Sequence, residues 1–279
     1  SAHLYAHQKS PLGFFDARLP DQMVQRAFTK MRADEGLRAT LGSEPVFQFH
    51  QHTPPLRTIE FQSLMPSNSI RMPLVSIFAD IDGFTAFVDN AIRTNRVQQL
   101  VSNLRVIRGE LADVLKLDFN GRKVRFIGDC VHGLIAEGTR YETDDRKSVA
   151  TAVRCAGGLR SSFELCQALL PGISELGLAI GLELGTTPVT RLGIRGERSV
   201  RCAASKAVSV SEGLQSECDG QQTAIGERAL SAASARVSQL FPGGVADGLD
   251  YEVVDQALGS GLAAPAVVVS QPEFRAHSR

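Results

Sequence analysis

Residues 74–81, Leu-Val-Ser-Ile-Phe-Ala-Asp-Ile, form an apolar run whose one charge, Asp80, stands a residue from its end. A run of this length and composition reads as a strand covered on both faces. A carboxylate at such a depth is costly unless a positive partner meets it. Asp82, Gly83, Phe84 and Thr85 follow at once, a glycine turn and a helix start whose free amides suit phosphate oxygens. The chain must therefore fold so that the end of an inner strand opens onto something cationic.

The flanking segments say what surrounds that strand. Leu100, Leu104, Ile107, Leu111 and Val114 recur at helical spacing and predict an amphipathic helix ending near Asn120-Gly121. Strands over 124–127 and 131–136 are joined by Gly128-Asp129, a hairpin with an acidic residue at its tip. A helix is expected over about 146–169, strands over 176–184, 200–204, 251–254 and 266–270, and helical stretches over 208–218 and 226–233. This order implies an α+β sandwich, a mainly antiparallel sheet covered by helices. Residues 1–70 are different in kind, broken by Pro11, Pro20, Pro45, Pro54, Pro55 and Pro66, with helical spacing only over 22–32. They read as an N-terminal arm or small subdomain (1–70) ahead of the main domain (71–279).

Composition narrows the partners. The 279 residues are 43% hydrophobic, enough for a full core, and thirty Lys+Arg balance thirty Asp+Glu. No basic field argues for nucleic acid. No apolar run approaches the roughly 20 residues of a membrane helix, and Ser1–Ser10 lacks the apolar stretch of a signal peptide. A cytoplasmic protein is expected. Its five cysteines are scattered, without a CxxC pair, and read as reduced.

If the strand ending at Asp80 and the hairpin tip at Asp129 are neighbours, the two carboxylates converge as oxygen ligands. Hard cations such as Mg²⁺ or Mn²⁺ take carboxylates together with substrate phosphates. Two such ions could activate a ribose 3′-hydroxyl and stabilise a leaving pyrophosphate. His132 falls on the same strand face as Cys130 and reads as a hydrogen-bonded sheet residue rather than a general base. His50 and His52 read as loop residues, since no third ligand stands at usable spacing.

On these residues the chain resembles the class III adenylate and guanylate cyclases: Phe78–Thr85 is similar to their first signature and Phe126-Ile127-Gly128-Asp129 to their second. Leu178–Gly185 with Gly193 resembles their later strand and glycine loop, so the likeness spans roughly 72–270. The resemblance implies a ferredoxin-like catalytic domain and a head-to-tail homodimer with sites at the interface. It implies that Asp80, Asp129 and the Ile81 carbonyl hold two divalent metal ions, and that Gly83, Phe84 and Thr85 meet the phosphates of a nucleoside triphosphate.

Four positions depart from the family pattern. Adenylate cyclases carry Lys and guanylate cyclases Glu where this chain has Arg125, and Cys202 occupies the second base-reading position. Arg125 offers only donors, which suits the two carbonyl oxygens of uracil better than the amino groups of cytosine or adenine. The departure resembles the bacterial pyrimidine cyclases of antiphage signalling, whose cyclic UMP or cyclic CMP acts on a separate effector protein. UTP is favoured over CTP; an adenylate cyclase or a nucleotide-binding pseudo-cyclase are the alternatives. A surface pair of Arg125 with Glu137 is the plainer reading of that arginine. The family's transition-state Asn and Arg align with Ser209 and Gly213, so Ser209 is left to contact the ribose. The phosphate-stabilising cation must then come from elsewhere, with Arg198, Arg201 and Lys206 as candidates.

Overall fold

A computed structural model of the chain describes residues 47–192 and 200–259. Its spine is β2 (Ser69–Asp82), the expected inner strand extended by five residues at its start, from Ser69 in place of Leu74. Antiparallel to it run β5 (Gly177–Leu192) on one side and β4 (Cys130–Ile135) on the other, the latter forming the expected hairpin with β3 (Arg122–Ile127). The eight-stranded sheet has the order β3-β4-β2-β5-β7-β8, with β7 (Gln222–Ile225) parallel to β5 and β8 (Val245–Asp247) antiparallel to β7. Two short strands lie off this path: β1 (Phe49–Gln51) beside β2 and β6 (Val200–Ala203) beside β5.

Period-two alternation along β2 divides it between two cores. Val75, Ile77, Ala79 and Ile81 pack with Ile107 and Leu111 of α2 (Val97–Asp113) and with Val149, Ala152, Val153, Ala156 and Phe163 of α3 (Asp145–Leu169). Ile70, Met72 and Leu74 face the other way, into a smaller core with Leu56, Ile59, Phe61, Leu64 and Val124. Residues 47–70, expected to belong to an arm, thus pack on the sheet, and His50, expected in a loop, lies in β1. The helix expected over 22–32 lies outside the described residues.

On the Leu74 face sits α4 (Lys206–Glu217), capped by Ser205 and pressed onto β5. A Cβ at Gly181 would collide with the Ser211 carbonyl oxygen, and one at Gly185 would stand 2.8 Å from Ala207 Cβ. Glycine is needed at Gly181 because a helix backbone, not a side chain, occupies the space.

Three shorter helices follow: α5 (Glu227–Ala232), α6 (Ala235–Leu240) and α7 (Tyr251–Leu258). The strand expected over 251–254 is therefore a helix. Tyr-Glu-Val-Val has strand propensity, but the Asp250 carboxylate accepts from Val253 N at 2.8 Å and caps a helical turn, whose Val254 is then fully buried. The strand expected over 266–270 lies outside the described residues. Among the described residues no helix is long and apolar enough to cross a membrane.

Candidate active site

The site grows from the end of β2. Because Val75, Ile77, Ala79 and Ile81 take the α2/α3 face, Ser76, Phe78 and Asp80 must take the α4 face, with Asp80 half-buried at its end. Ala79 is paired with Val131, and Ile127 with Cys130 across the two-residue tip, where Gly128 adopts φ +62°. The register carries Asp129 to the end of β2 that bears Asp80.

Among the described residues, no positive group offsets their charges. Burial, then the nearby Asp129 carboxylate, pushes Asp80 up to about 6, while hydrogen bonds from the Ile81 backbone and Cys130 side chain oppose the rise. Burial raises Asp129 as well. Burial and both carboxylates drive the Cys130 thiol far above its ordinary range, so it stays protonated and able to donate. Sequence reasoning missed this role, for which a cysteine directly after the aspartate was the only signal. Ile81 buries its side chain in the core, so only its backbone is available to a ligand.

This donor set suits a hard divalent cation: two carboxylates and a carbonyl, all oxygen, with mutual repulsion that a cation would relieve. No further His, Cys, Asp or Glu joins them into a larger cluster among the described residues.

Beyond Asp80 the backbone turns at Gly83, which has φ +79° and precedes α1 (Phe84–Arg93). No side chain caps this helix, so its first amides remain free for an anion. Thr85 is exposed, while Phe84 packs partly into the main core against Phe87. Asp82 closes β2 opposite Gly177 rather than lying in the turn, and its carboxylate accepts from Gly220 N at 3.0 Å.

Arg125 reaches the same face by an irregularity. The β3–β4 register slips between Lys123 and Arg125, setting Arg125 opposite His132, which is itself opposite Phe78. The slip lets Val124 enter the smaller core while its neighbour Arg125 still faces the site. Arg125 is exposed, and Glu137 is engaged elsewhere, with Lys147 at 3.5 Å and Thr151 at 3.4 Å. The surface Arg125–Glu137 pair does not form.

His132 is buried and hydrogen-bonded, as its strand position suggested. Its Nε2 lies 3.1 Å from Ser76 Oγ, which is 2.8 Å from Ser211 Oγ on α4, and its ring stacks on Phe78 at 4.2 Å. Burial and the Arg125 charge push His132 down to about 3, so the ring is neutral and unfit as a general base near neutral pH. This polar chain was not foreseen, because Ser76 inside an apolar run looks like a small strand residue.

The residues expected around the transition state divide. Ser209 and Gly213 are exposed on α4, and a Cβ at Gly213 would meet nothing within 4 Å. Cys202 is half-buried in β6 opposite Thr190. Of the candidate cations, Lys206 is exposed on the first turn of α4, Arg201 donates to the Lys123 carbonyl at 3.1 Å, and Arg198, like Gly193, lies outside the described residues. Arg191, at the other arm of that hairpin, donates to the Gln62 carbonyl at 2.7 Å.

Comparison with known proteins bears on the fold. The chain is 47% identical to a solved class III adenylyl cyclase-like ATP-binding protein from Pseudomonas aeruginosa, with a TM-score of 0.72 over 77% of this chain and 46% of that one. Its fold is that of the class III cyclases. Over 247 residues it is 58% identical to a uridylate cyclase from a Rhizobium species, and over 258 residues it is 45% identical to one from Pseudomonas aeruginosa. These matches take in 88% and 90% of this chain but 47% and 50% of those proteins, so the chain spans about half the length of the curated relatives it matches. No protein-family model matches it.

Proposed function

We propose that this cyclase fold closes UTP into 3′,5′-cyclic UMP with release of pyrophosphate. The observation that carries the reaction is the facing pair Asp80 and Asp129, held at one end of the sheet with free helix amides beside it. In this reading the two carboxylates and the Ile81 carbonyl hold two divalent cations, Mg²⁺ or Mn²⁺. When bound, these ions favour the 3′-oxyanion and the charge developing on pyrophosphate. The protonated Cys130 thiol lies beside Asp80 and eases its charged form. The α1 amides following Gly83 take the phosphate tail, with Thr85 as a hydroxyl donor at the rim.

Substrate choice rests on Arg125 and on the relatives named uridylate cyclase. A planar fork of donors matches uracil's carbonyls, whereas an amino group opposite it leaves buried donors unpaired. Cys202 adds a small side chain without a strong donor. In the head-to-tail homodimer of this reading, Arg125 and Cys202 of one protomer read the base held by the other's metal site. Ser209 meets the ribose, and Lys206, three residues before it on the same helix face, supplies the phosphate cation that Gly213 lacks. The product is a second messenger in antiphage defence, received by a separate effector; the resemblance to pyrimidine cyclases supports this.

A second reading draws on the solved relative described as ATP-binding and on the open, uncharged space at Gly213: a chain that binds a nucleotide without turning it over. Incubating the purified chain with each of the four triphosphates and Mn²⁺ separates the two. Cyclic UMP as main product, lost in Asp80→Asn, supports the cyclase; binding with no product supports the second reading.

A further inference from the structure

Asp82 stands between two groups of the site: the peptide before it carries the Ile81 carbonyl, and the peptide after it the Gly83 amide. It is also the last residue of β2, on the last rung of the ladder with β5, opposite Gly177. A sheet opens first at the ends of its strands, and a glycine opposite adds no side chain to hold the rung. The orientation of the Ile81 carbonyl therefore depends on what fastens Asp82.

The direction of that carbonyl follows from its cross-strand neighbour. Leu178, paired with Ile81, turns both backbone groups away from β2: its N–H donates to the Gly220 carbonyl at 2.7 Å and its carbonyl accepts from Arg160 Nη2 at 2.9 Å. In an antiparallel ladder this makes Ile81 and Leu178 a non-hydrogen-bonded pair, so Ile81 directs its own N–H and C=O away from β5, to the side where β4 and the Asp129 tip lie. Because the Ile81 carbonyl and the Asp82 nitrogen share one planar peptide, a tilt of the Asp82 rung swings the carbonyl with it.

The side chain of Asp82 is the fastener. Its carboxylate accepts at 3.0 Å from the amide of Gly220, in the turn between α4 and β7. Gly220 is buried, so this amide needs an acceptor. The turn has little freedom to shift. The Gly220 carbonyl accepts from Arg160 Nη1 at 3.1 Å as well as from Leu178, the Asp219 carboxylate accepts from Gln221 N at 2.8 Å, and a Cβ on Gly177 would collide with the Gly220 backbone. Arg160, 1% exposed, also donates to the Gln222 carbonyl at 3.0 Å. A carboxylate on one strand and a buried guanidinium on α3 thus grip the same glycine from its two polar ends.

We propose that Asp82 is a positioning residue for metal binding: through Gly220 and Arg160 it fixes the peptide that carries the Ile81 carbonyl, without meeting the metal or the substrate itself. The inference rests on the cyclase reading, in which that carbonyl is a metal ligand, and extends the metal site to a hydrogen bond behind it. The charge of Asp82 also bears on Asp80, so the test must separate the charge from the hydrogen bond.

Asp82→Asn removes the charge and keeps an oxygen for Gly220; Asp82→Leu removes both. The two variants and the wild-type chain are titrated with Mn²⁺ alone, the free ion being followed by electron paramagnetic resonance, and are compared in cyclase assays over a range of Mn²⁺ at fixed UTP and in thermal melts. We expect Asp82→Leu to weaken Mn²⁺ binding about fivefold and to raise the Mn²⁺ needed for half-maximal rate by a similar factor, with the rate at saturating Mn²⁺ changed by less than about twofold. Asp82→Asn should bind Mn²⁺ within about twofold of wild type. If Asp82→Leu lowers the melting temperature yet leaves Mn²⁺ affinity at the wild-type value, Asp82 is structural and the proposal is overturned. It is equally overturned if Asp82→Asn loses as much affinity as Asp82→Leu, because the charge and not the bond would then be responsible. A wild-type chain that binds Mn²⁺ but makes no cyclic nucleotide overturns the cyclase reading instead, a result that needs no variant.

Discussion

Toward α2 and α3 the strand β2 presents Val75, Ile77, Ala79 and Ile81, all buried and all apolar; toward α4 the same strand presents Ser76, Phe78 and Asp80. The first face is held by apolar area, to which exchange among similar hydrophobic side chains does little harm. The second is held by close backbone approach at Gly181 and Gly185 and by bonds that each need one particular atom. One face thus depends on apolar area and the other on close backbone approach and particular polar atoms, and substitutions should reveal the difference.

The largest effect is expected at Gly181. Gly181→Ala places a methyl against the Ser211 carbonyl oxygen, which sits in a helix backbone that cannot yield locally; the cost is on the order of 3 kcal/mol, read by urea denaturation. An outcome below about 1 kcal/mol would mean that α4 rides loosely on β5.

Arg160 of α3 comes next. It is buried on the other face and donates to the carbonyls of Leu178, Gly220 and Gln222 at 2.9 to 3.1 Å, stitching β5 to the turn before β7. Arg160→Met leaves those carbonyls without the guanidinium and should cost about 2–3 kcal/mol. A neutral result would show that the apolar face needs no such fastening.

Acid should weaken the α4 face in a way traceable to His132. Its folded pKa, pushed down to about 3, lies below the ordinary 6.5, so the unfolded chain takes up the proton first. The stability it permits is full above about pH 6.5 and is lost as pH falls from there toward 3, amounting to about 2 kcal/mol by pH 5. His132→Phe should flatten this part of the stability–pH curve, measured by denaturation between pH 5 and 7.

The smallest effect is a gain. Gly109 on α2 has open space where a Cβ would stand, so Gly109→Ala should stabilise by about 0.5–1 kcal/mol. A loss there would contradict the open space at this position.

The apolar face was legible in the sequence and the other only in part, for a physical reason. Leu100, Ile107 and Leu111 announce their helix because burial repeats with the helical period, and Asp80 and Asp129 stand out because carboxylates are rare where they fall. Arg125 could be named, but its turn toward the site depends on a register slip that no local pattern encodes. Ser76, His132 and Ser211 gain meaning only when β2, β4 and α4 meet. The strand expected at 251–254 failed because strand propensity there yields to the Asp250 cap and to packing on α3, where Gly157 admits the Asp250 carbonyl. The short strands β7 and β8 carry too few residues to show a period.

The most direct test of the whole account is a competition assay: equimolar ATP, GTP, CTP and UTP in one reaction with Mn²⁺, products resolved and identified. The account predicts cyclic UMP in clear excess, absent with Asp129→Asn and displaced toward other products with Arg125→Lys. Cyclic AMP as the principal product, or an unchanged product ratio in Arg125→Lys, would contradict it.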